Sequence, residues 1–319
     1  MFDLSEILLN TKVYNNLEQS IKDEKKNIIV DSVSSSNISF MAFLLCKKLG
    51  KNIIIITANE VLSKKIVDDI NVVSRENLGL FFKAREMIYN NNIKASSNDY
   101  ENQRLKLLYE LTNLKKDEHK VIVTSVEALE QPLILSEKYR NLILNLKIGQ
   151  QVKINELAER LVKMGFVKSS QIEGVGQFAV RGEIVDVFSP NMDYPIRLDF
   201  WDDEIDNIFL FDTLSQRRIA ERLENVFISP VKEVLVEDFK RLAEDLIEFK
   251  NKISNKKVKD DIEKDIKNLQ ENILPDNLDK YIPFIFKEKC CLLDYIDNPI
   301  IILYNERALI QADKSIWWH

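Results

Sequence analysis

Two short polar segments occupy the positions at which a nucleotide-binding α/β protein has its phosphate-binding and Mg²⁺-binding residues. The first joins an apolar run to a helical pattern and contains Ser34, Ser35, Ser36 and Asn37. A phosphate loop needs glycines for close backbone approach, a lysine for the outer phosphate oxygens and a Ser or Thr for Mg²⁺. This segment has hydroxyl groups but neither glycine nor lysine. We therefore expect a serine-rich loop with helix N-caps, where only the helix dipole retains some affinity for anions.

The second polar segment, Asn305-Glu306-Arg307, follows the apolar run at 299–304. A P-loop ATPase places an Asp at such a strand end to bind Mg²⁺, and the uncharged amide of Asn305 cannot replace that carboxylate. Both halves of an ATPase site are thus missing, so the sequence predicts no catalytic residue and no cofactor in this chain. The interpretation is a degenerate nucleotide site formed by Ser34, Ser35, Ser36, Asn37, Asn305 and Glu306.

The small numbers of His and Cys residues argue against disulfide, zinc and His-centred catalytic sites. The chain has two His, three Cys and seven Gly among 319 residues. Cys46, Cys290 and Cys291 give no disulfide framework, and with His119 and His319 they cannot furnish a plausible structural zinc site. Catalysis by a His-centred triad is nearly excluded by the same count. We expect no metal.

The net charge and the hydropathy of the chain indicate where the protein is located and which partners it binds. The formal charge of −6 comes from 45 Lys and Arg against 51 Asp and Glu, which argues against a dedicated duplex-binding module. No apolar run is long enough to span a bilayer. The chain starts with acidic residues where a signal peptide would be basic, so we expect a cytoplasmic protein without a membrane partner.

The elements that position these segments form three parts. Residues 1–142 alternate apolar runs (27–31, 52–57, 120–124) with helical patterns (38–49, 60–72, 99–114), which is typical of a parallel sheet with crossover helices. Residues 143–228 combine a short helix at 155–164 with period-2 segments at 177–188, 195–201 and 204–212, which predicts an inserted α+β domain. Residues 229–319 contain a charged helical pattern at 236–273, broken near 254–255, and a last strand at 299–304.

The charged helical pattern and an acidic stretch each have a plain structural interpretation. The pattern at 236–273 predicts a solvent-exposed helical hairpin, with an interaction arm as the alternative. The acidic stretch 201–206 resembles a metal or helicase box, but period-2 alternation precedes it, so a hairpin turn with solvated carboxylates is expected.

The positive signal lies in the inserted domain. Ile196, Leu198 and Phe200 alternate with Arg197, Asp199 and Trp201, so the polar members of the strand share one sheet face. Arg181 on a neighbouring strand can join them. Two arginines and a tryptophan on a rigid sheet have the composition of a protein–protein hot spot. Alternatively, Trp201 packs under a loop while the arginines form surface ion pairs, and the sequence leaves both open.

At this point two segments show a family resemblance. Residues 176–190 (GQFAVRGEIVDVFSP) and 195–206 (PIRLDFWDDEID) resemble the stretch shared by the UvrB and Mfd families, and weaker similarity runs through most of the chain. UvrB proteins keep their nucleotide motifs, whereas the N-terminal module of Mfd has lost them. The missing phosphate-loop lysine therefore favours the Mfd family, transcription-repair coupling factors, and within it the N-terminal UvrB-like module.

The resemblance implies a fold and a role. The fold is a degenerate P-loop, RecA-like α/β domain (1A, residues 1–142), an inserted UvrA-interaction domain (2, residues 143–228) and domain 1B (residues 229–319). The implied role is recruitment of UvrA. The full-length family member is an ATP-driven DNA translocase that displaces stalled RNA polymerase and covers domain 2 with its C-terminal domain. RNA polymerase and DNA are thus partners only through the parent protein.

The family positions implicated in UvrA contact match Arg181, Arg197 and the aromatic Trp201, where relatives often have Phe. Asp199 lies on the same face and is included with them. The alternative function is a nucleotide- or DNA-binding, helicase-like domain of a UvrB-type repair protein. A purely structural domain without affinity for any repair protein is the remaining possibility.

Overall fold

A computed structural model describes residues 11–25, 28–30, 34–85, 98–219, 222–275, 277–296 and 300–304. Helices in this part of the chain are α1 Lys12–Lys22, α2 Ser35–Leu49, α3 Glu60–Ser74, α4 Asn98–Thr112, α5 Val126–Glu130, α6 Ser136–Leu142, α7 Ile154–Lys163, α8 Phe239–Lys252, α9 Lys256–Gln270 and α10 Ile282–Ile285. Its strands are β1 Asn52–Thr57, β2 Gly79–Phe82, β3 Val121–Ser125, β4 Leu144–Lys147, β5 Val167–Lys168, β6 Gln177–Arg181, β7 Ile184–Val187, β8 Ile196–Trp201, β9 Glu204–Leu210, β10 Asn225–Ile228 and β11 Ile300–Tyr304. Short 3₁₀ turns lie at Asp279–Tyr281 and Leu292–Tyr295, and no helix of the described residues has the length and apolar character to cross a membrane.

Two compact units divide the chain. The first unit contains Met1–Ala84, Asn113–Gln131 and Ile296–His319, and the second contains Arg85–Thr112 and Pro132–Tyr295. The predicted division at 142/143 and 228/229 stays a prediction. Helix α4 lies in the second unit, although the sequence pattern predicts it as part of domain 1A.

The first unit is built on a parallel sheet in the order β11-β1-β3-β2. All six residues of β1 are buried, as its run of four isoleucines requires when both faces of a parallel sheet are covered. Ile53 and Ile55 pack in one cluster with Leu45 of α2 and Ile66 of α3. Helix α2 ends at Gly50, whose φ of 57° suits a residue without a Cβ. The mixed α/β class with a parallel sheet is thus confirmed, while the degenerate P-loop detail stays a prediction.

One predicted strand is wrong within the described residues. Ile28, Ile29 and Val30 form no strand, and Ile29 is 85% exposed, while Asn27 and Asp31 lie outside the described residues. Strand β1 is already paired on both sides, by β3 and β11, so this short apolar run has no place beside it. The three other predicted strands of this sheet region (52–57, 120–124, 299–304) are found as β1, β3 and β11, whereas β2 was not predicted because it is only four residues long.

The second unit contains the sheet β5-β6-β7-β8-β9, antiparallel except for the short β5–β6 pair. The apolar side chains of β8 pack in one core with Leu157 and Leu161 of α7, so this helix covers one face of the sheet. The period-2 segment predicted over 177–188 is two strands, because Gly182 takes φ 60° and turns β6 back into β7. Strands β4 and β10 form a separate antiparallel pair.

The predicted helical hairpin is confirmed as α8 and α9, with the break at 253–255. Leu242 and Leu246 of α8 pack against Ile262 and Ile266 of α9. Asp238 and Asn255 cap the two N-termini by accepting hydrogen bonds from backbone N–H groups.

A buried ion pair fixes helix α4 within the second unit. The Arg104 side chain and the Glu233 carboxylate are each 1% exposed, and Arg104 Nε donates to Glu233 Oε1 at 2.5 Å. Arg85 Nη2 donates to the other carboxylate oxygen at 2.6 Å. Burial disfavours the charged carboxylate, but attraction by the two guanidiniums outweighs it and lowers the pKa of Glu233 to about 2.

We expect Glu233→Gln to lower the free energy of unfolding by about 3–5 kcal/mol, because it leaves a buried guanidinium without its counter-charge. Urea unfolding monitored by circular dichroism measures the change. Glu237→Gln is the control, since Glu237 forms only an exposed ion pair with Lys138. Similar losses in both variants would contradict the role given to Glu233.

The same ion pair predicts a pH dependence. The pKa of Glu233 is lowered from 4.5 to about 2, so its contribution to stability is complete above pH 4.5 and is lost as the pH falls towards 2. The difference in stability between wild type and Glu233→Gln should therefore shrink over that range. A difference that stays constant would contradict this assignment.

Candidate functional site

The outer face of the antiparallel sheet brings the predicted site residues into register. Along β8 the residues alternate between buried and more exposed, so Arg197, Asp199 and Trp201 share the face opposite α7. Arg197 stands opposite Asp186 of β7, and Arg181 of β6 stands opposite Ile184. A tight turn at 182–183 joins β6 to β7, and the pairing of β7 with both neighbouring strands fixes the spacing of the side chains.

The centre of this face is the Asp186 cluster, made of Asp186, Arg181 and Arg197. Arg197 Nε donates to Asp186 Oδ1 at 2.7 Å and Arg197 Nη2 donates to Oδ2 at 2.9 Å, a bidentate pair. Arg181 Nη2 donates to the same Oδ2. The Asp186 carboxylate is 1% exposed, whereas the Arg181 side chain is 43% exposed. The cluster holds two positive charges against one negative charge.

Three residues contact the guanidinium of Arg197. Besides the Asp186 bonds, its Nη2 donates to Gln216 Oε1 at 3.3 Å, and its Cζ lies 4.6 Å from the centroid of the Phe211 ring. Its side chain is 16% exposed, so only a small part of it reaches the surface. The hydrogen bonds with Asp186 raise the pKa of Arg197 above its ordinary value, against the effect of burial. The charge on this group is therefore fixed at any working pH.

Asp199 belongs to a second ion pair on the same face. It accepts a hydrogen bond from Arg218 Nη2 at 3.1 Å, and Arg218 Cζ lies 3.5 Å from the centroid of the Phe209 ring. Burial raises the pKa of Asp199, although attraction by Arg218 and Arg197 opposes this. Asp199 is thus occupied by a partner of its own and does not join the Asp186 cluster.

Trp201 lies at the end of β8 and is 79% exposed. The two-residue turn Asp202-Asp203 follows it, with Asp202 at φ 56°, so the expected hairpin turn in this acidic stretch is confirmed. A second exposed apolar residue, Leu214 at 93%, lies in the turn that supplies Gln216. The idea that Trp201 packs under a loop is therefore wrong, whereas the arginines do form ion pairs.

The structure also shows residues that sequence reasoning missed. Asp186, Gln216 and Arg218 complete the contacts of the face but were not chosen as site residues. A signal existed for Asp186, because a carboxylate inside the apolar run of β7 must be paired when it is buried. No such signal marks Gln216, whose position depends on the turn after Phe211.

The residues of the predicted nucleotide site are only partly described. Ser34 is the N-cap of α2, and its hydroxyl accepts a hydrogen bond from the N–H of Asn37 at 3.3 Å. Ser36 and Asn37 are exposed, the side chain of Ser35 is not described, and Asn305 and Glu306 lie outside the described residues. Their interpretation as a degenerate nucleotide site stays a prediction.

Comparison with known proteins confirms the family resemblance. Residues 144–234 match the family model described as the UvrB interaction domain. The chain is 28% identical over 315 residues to a transcription-repair-coupling factor of Bacillus subtilis, covering 95% of this chain and 26% of that protein. It is 42% identical over 117 residues to the coupling factor of Myxococcus xanthus, covering 37% of this chain and 10% of that protein.

A UvrB protein is among the relatives as well. UvrABC system protein B of Kosmotoga olearia is 34% identical over 134 residues, covering 42% of this chain and 18% of that protein. The matched regions therefore cover at most about a quarter of the length of each of these relatives. The matched family segment contains the whole Asp186 cluster and Trp201.

We expect Asp186→Asn to lower the free energy of unfolding by about 2–3 kcal/mol, because a neutral amide of the same shape cannot hold two guanidiniums. Thermal and urea unfolding measure the change. Asp193→Asn is the matched control, since Asp193 is 80% exposed and forms only a surface ion pair with Lys106. Equal stability of the two variants would contradict the central role of Asp186.

Proposed function

We propose that this chain is the UvrA-recruiting, non-catalytic part of a transcription-repair coupling factor. The observation that carries the proposal is the Asp186 cluster, which lies within the segment that matches the UvrB interaction domain. In the parent protein this part would bring UvrA to RNA polymerase stalled at a lesion. ATP-driven translocation along DNA and displacement of the polymerase would belong to the rest of the parent. The cytoplasmic location stays a prediction.

The chemistry of the face specifies what the partner must supply. The Asp186 cluster carries one uncompensated positive charge, and Arg181 offers the more exposed guanidinium. A carboxylate on the partner would satisfy Arg181 in a bidentate pair. Trp201 adds a large apolar surface that a shallow pocket would bury. Arginine and tryptophan are the residue types that dominate protein–protein hot spots.

The fixed geometry lowers the cost of binding. Asp186 and Gln216 hold the guanidinium of Arg197 before any partner arrives, so little side-chain entropy is lost on association. In the parent protein a C-terminal domain would cover this face until activation, as the family resemblance implies. The isolated chain should therefore bind UvrA without an activating step.

The alternative, a nucleotide-binding or helicase-like domain, has weaker support. The Ser34 hydroxyl already serves as a helix cap, and the segment before α2 offers no lysine for phosphate oxygens. The carboxylate that would bind Mg²⁺ is replaced by Asn305.

We expect the isolated chain to bind purified UvrA, and Arg181→Ala and Trp201→Ala each to weaken binding about 30-fold, which corresponds to about 2 kcal/mol for a hot-spot side chain. Isothermal titration calorimetry measures the affinity. Arg160→Ala is the matched control, because Arg160 is exposed on α7, which covers the opposite face of the sheet. Unchanged binding in both face variants, with correct folding, would refute the site.

Mg²⁺ with ATP should leave the thermal unfolding midpoint of this chain unchanged, because a ligand stabilises a protein only if it binds the folded state. Phosphate release should equal that of buffer alone. A raised midpoint or steady ATP turnover would contradict the non-catalytic role and favour the nucleotide-binding alternative.

A further inference from the structure

The turn that follows β9 contains a residue whose backbone conformation favours glycine. Gln216 has a φ of 57°, in the left-handed region where the Cβ of an L-residue is strained. Four other described residues with a Cβ share this region: Glu24, Arg75 and Asn272 follow helix ends, and Asp202 lies in the two-residue turn after β8. A glycine at 216 would be free of the strain, so the glutamine side chain calls for an explanation.

The turn does not depend on the Gln216 side chain for its shape. The backbone N–H of Asp212 donates to Arg217 O at 3.0 Å, and the backbone N–H of Gln216 donates to Asp212 O at 2.8 Å. Asp212 Oδ1 also accepts hydrogen bonds from the N–H and the hydroxyl of Ser215, at 2.8 Å and 2.7 Å, which lowers the pKa of Asp212. All of these bonds remain available when residue 216 is a glycine.

The Gln216 amide instead connects the turn to the sheet. Its Nε2 donates to Thr213 O at 2.8 Å, and this bond orients the amide so that Oε1 accepts from Arg197 Nη2 at 3.3 Å. The contact with Arg197 is the one that leads from this side chain out of the turn.

The hydrogen bonds of Arg197 leave one nitrogen for a partner. A guanidinium has five N–H donors. Nε donates to Asp186 Oδ1, while Nη2 donates to both Asp186 Oδ2 and Gln216 Oε1, so three donors are used. No residue in the described ranges accepts from Nη1, and this nitrogen is not sealed inside the fold as the unpaired hydroxyl of Tyr14 is. A partner that contacts this guanidinium would therefore meet Nη1.

The neutrality of Gln216 preserves the charge of the site. Arg181 and Arg197 share the single carboxylate of Asp186, which leaves one positive charge uncompensated. An amide oxygen accepts a hydrogen bond from Arg197 without cancelling that charge, whereas a carboxylate in its place would balance the cluster.

We propose that Gln216 is a positioning residue for the contact between Arg197 and a carboxylate of the protein partner, an inference that rests on the proposed function. By occupying Nη2 it holds the guanidinium with Nη1 free, and by being neutral it leaves the charge that attracts the partner. Strained backbone is concentrated at binding sites, where a specific contact outweighs its cost. The left-handed conformation of Gln216 fits this pattern.

Gln216→Gly tests the proposal on the 319-residue chain, with isothermal titration calorimetry against purified UvrA. We expect binding to weaken about fivefold, which corresponds to about 1 kcal/mol, the usual net effect of one hydrogen bond. The thermal unfolding midpoint should stay unchanged or rise, because glycine relieves the left-handed backbone. A clear fall in the midpoint would show that the side chain supports the fold, and it would overturn the proposal.

Asn272→Gly is the matched control. It also replaces a neutral amide by glycine at a positive φ, here 59°, and Asn272 is exposed after the end of α9. It should leave the affinity for UvrA unchanged. Equal effects of the two glycine variants on UvrA binding would overturn the proposal.

A double-mutant cycle shows whether Gln216 acts through Arg197. Arg197→Lys keeps a positive charge beside the buried Asp186 but has neither Nη1 nor Nη2, so adding Gln216→Gly should not weaken binding further. In the Trp201→Ala background, which changes an exposed side chain, Gln216→Gly should still cost about fivefold. Equal losses in the two backgrounds would contradict a positioning role.

The charge requirement has its own variant. Gln216→Glu keeps an acceptor beside Arg197 but balances the charge of the cluster, so it should weaken UvrA binding as well. Unchanged or tighter binding of this variant would overturn the proposal.

The same titrations separate this inference from the proposed function. No binding of UvrA by the wild-type chain would overturn both. Weakening by Trp201→Ala without weakening by Gln216→Gly would overturn only the role given to Gln216.

Discussion

A carboxylate buried in the outer face of a sheet is the constraint on which the candidate site depends. Asp186 is 1% exposed, and a buried charge is tolerated only when it is paired and hydrogen-bonded. Its two partners are arginines from the neighbouring strands β6 and β8, so the requirement of one residue fixes two guanidiniums. Because β7 is paired in register with both of these strands, the positions of the two guanidiniums follow from the sheet itself.

The Glu233 network uses the same chemistry for another purpose. There a carboxylate also pairs with two arginines, but Arg104 is as buried as Glu233, so nothing of the pair reaches a partner. In the Asp186 cluster the carboxylate is buried while Arg181 remains partly exposed. The first arrangement secures helix α4 within its unit, and the second presents charge on a surface. The difference lies in the exposure of the arginines.

The sequence predicted most of the fold because its signals were local. The four isoleucines of β1, the glycine after α2 and the break between α8 and α9 all marked elements that the structure contains. The run at Ile28–Val30 misled because an apolar run becomes a strand only when another strand pairs with it, and none of the described strands does so. The segment at 177–188 misled because period 2 continues across the turn at Gly182.

The sequence could predict those parts of the candidate site that depend on the alternation of side chains between the two faces of a strand. Period 2 along β8 placed Arg197 and Trp201 on one face, and their grouping with Arg181 required only the next strands. This alternation could not predict the ion pair between Asp199 and Arg218 or the hydrogen bond between Arg197 and Gln216. Both contacts involve residues that follow β9, and their positions depend on tertiary packing. Such long-range pairs are set by tertiary packing and leave no mark in a single sequence.

Hydrogen exchange of this chain, alone and with purified UvrA, tests the central claim most directly. The account predicts that UvrA slows exchange in β6–β8 and in the turn at 212–218, while α7 and the α8–α9 hairpin exchange as before. Protection confined to α7 or to the hairpin, or no protection anywhere at saturating UvrA, would contradict it.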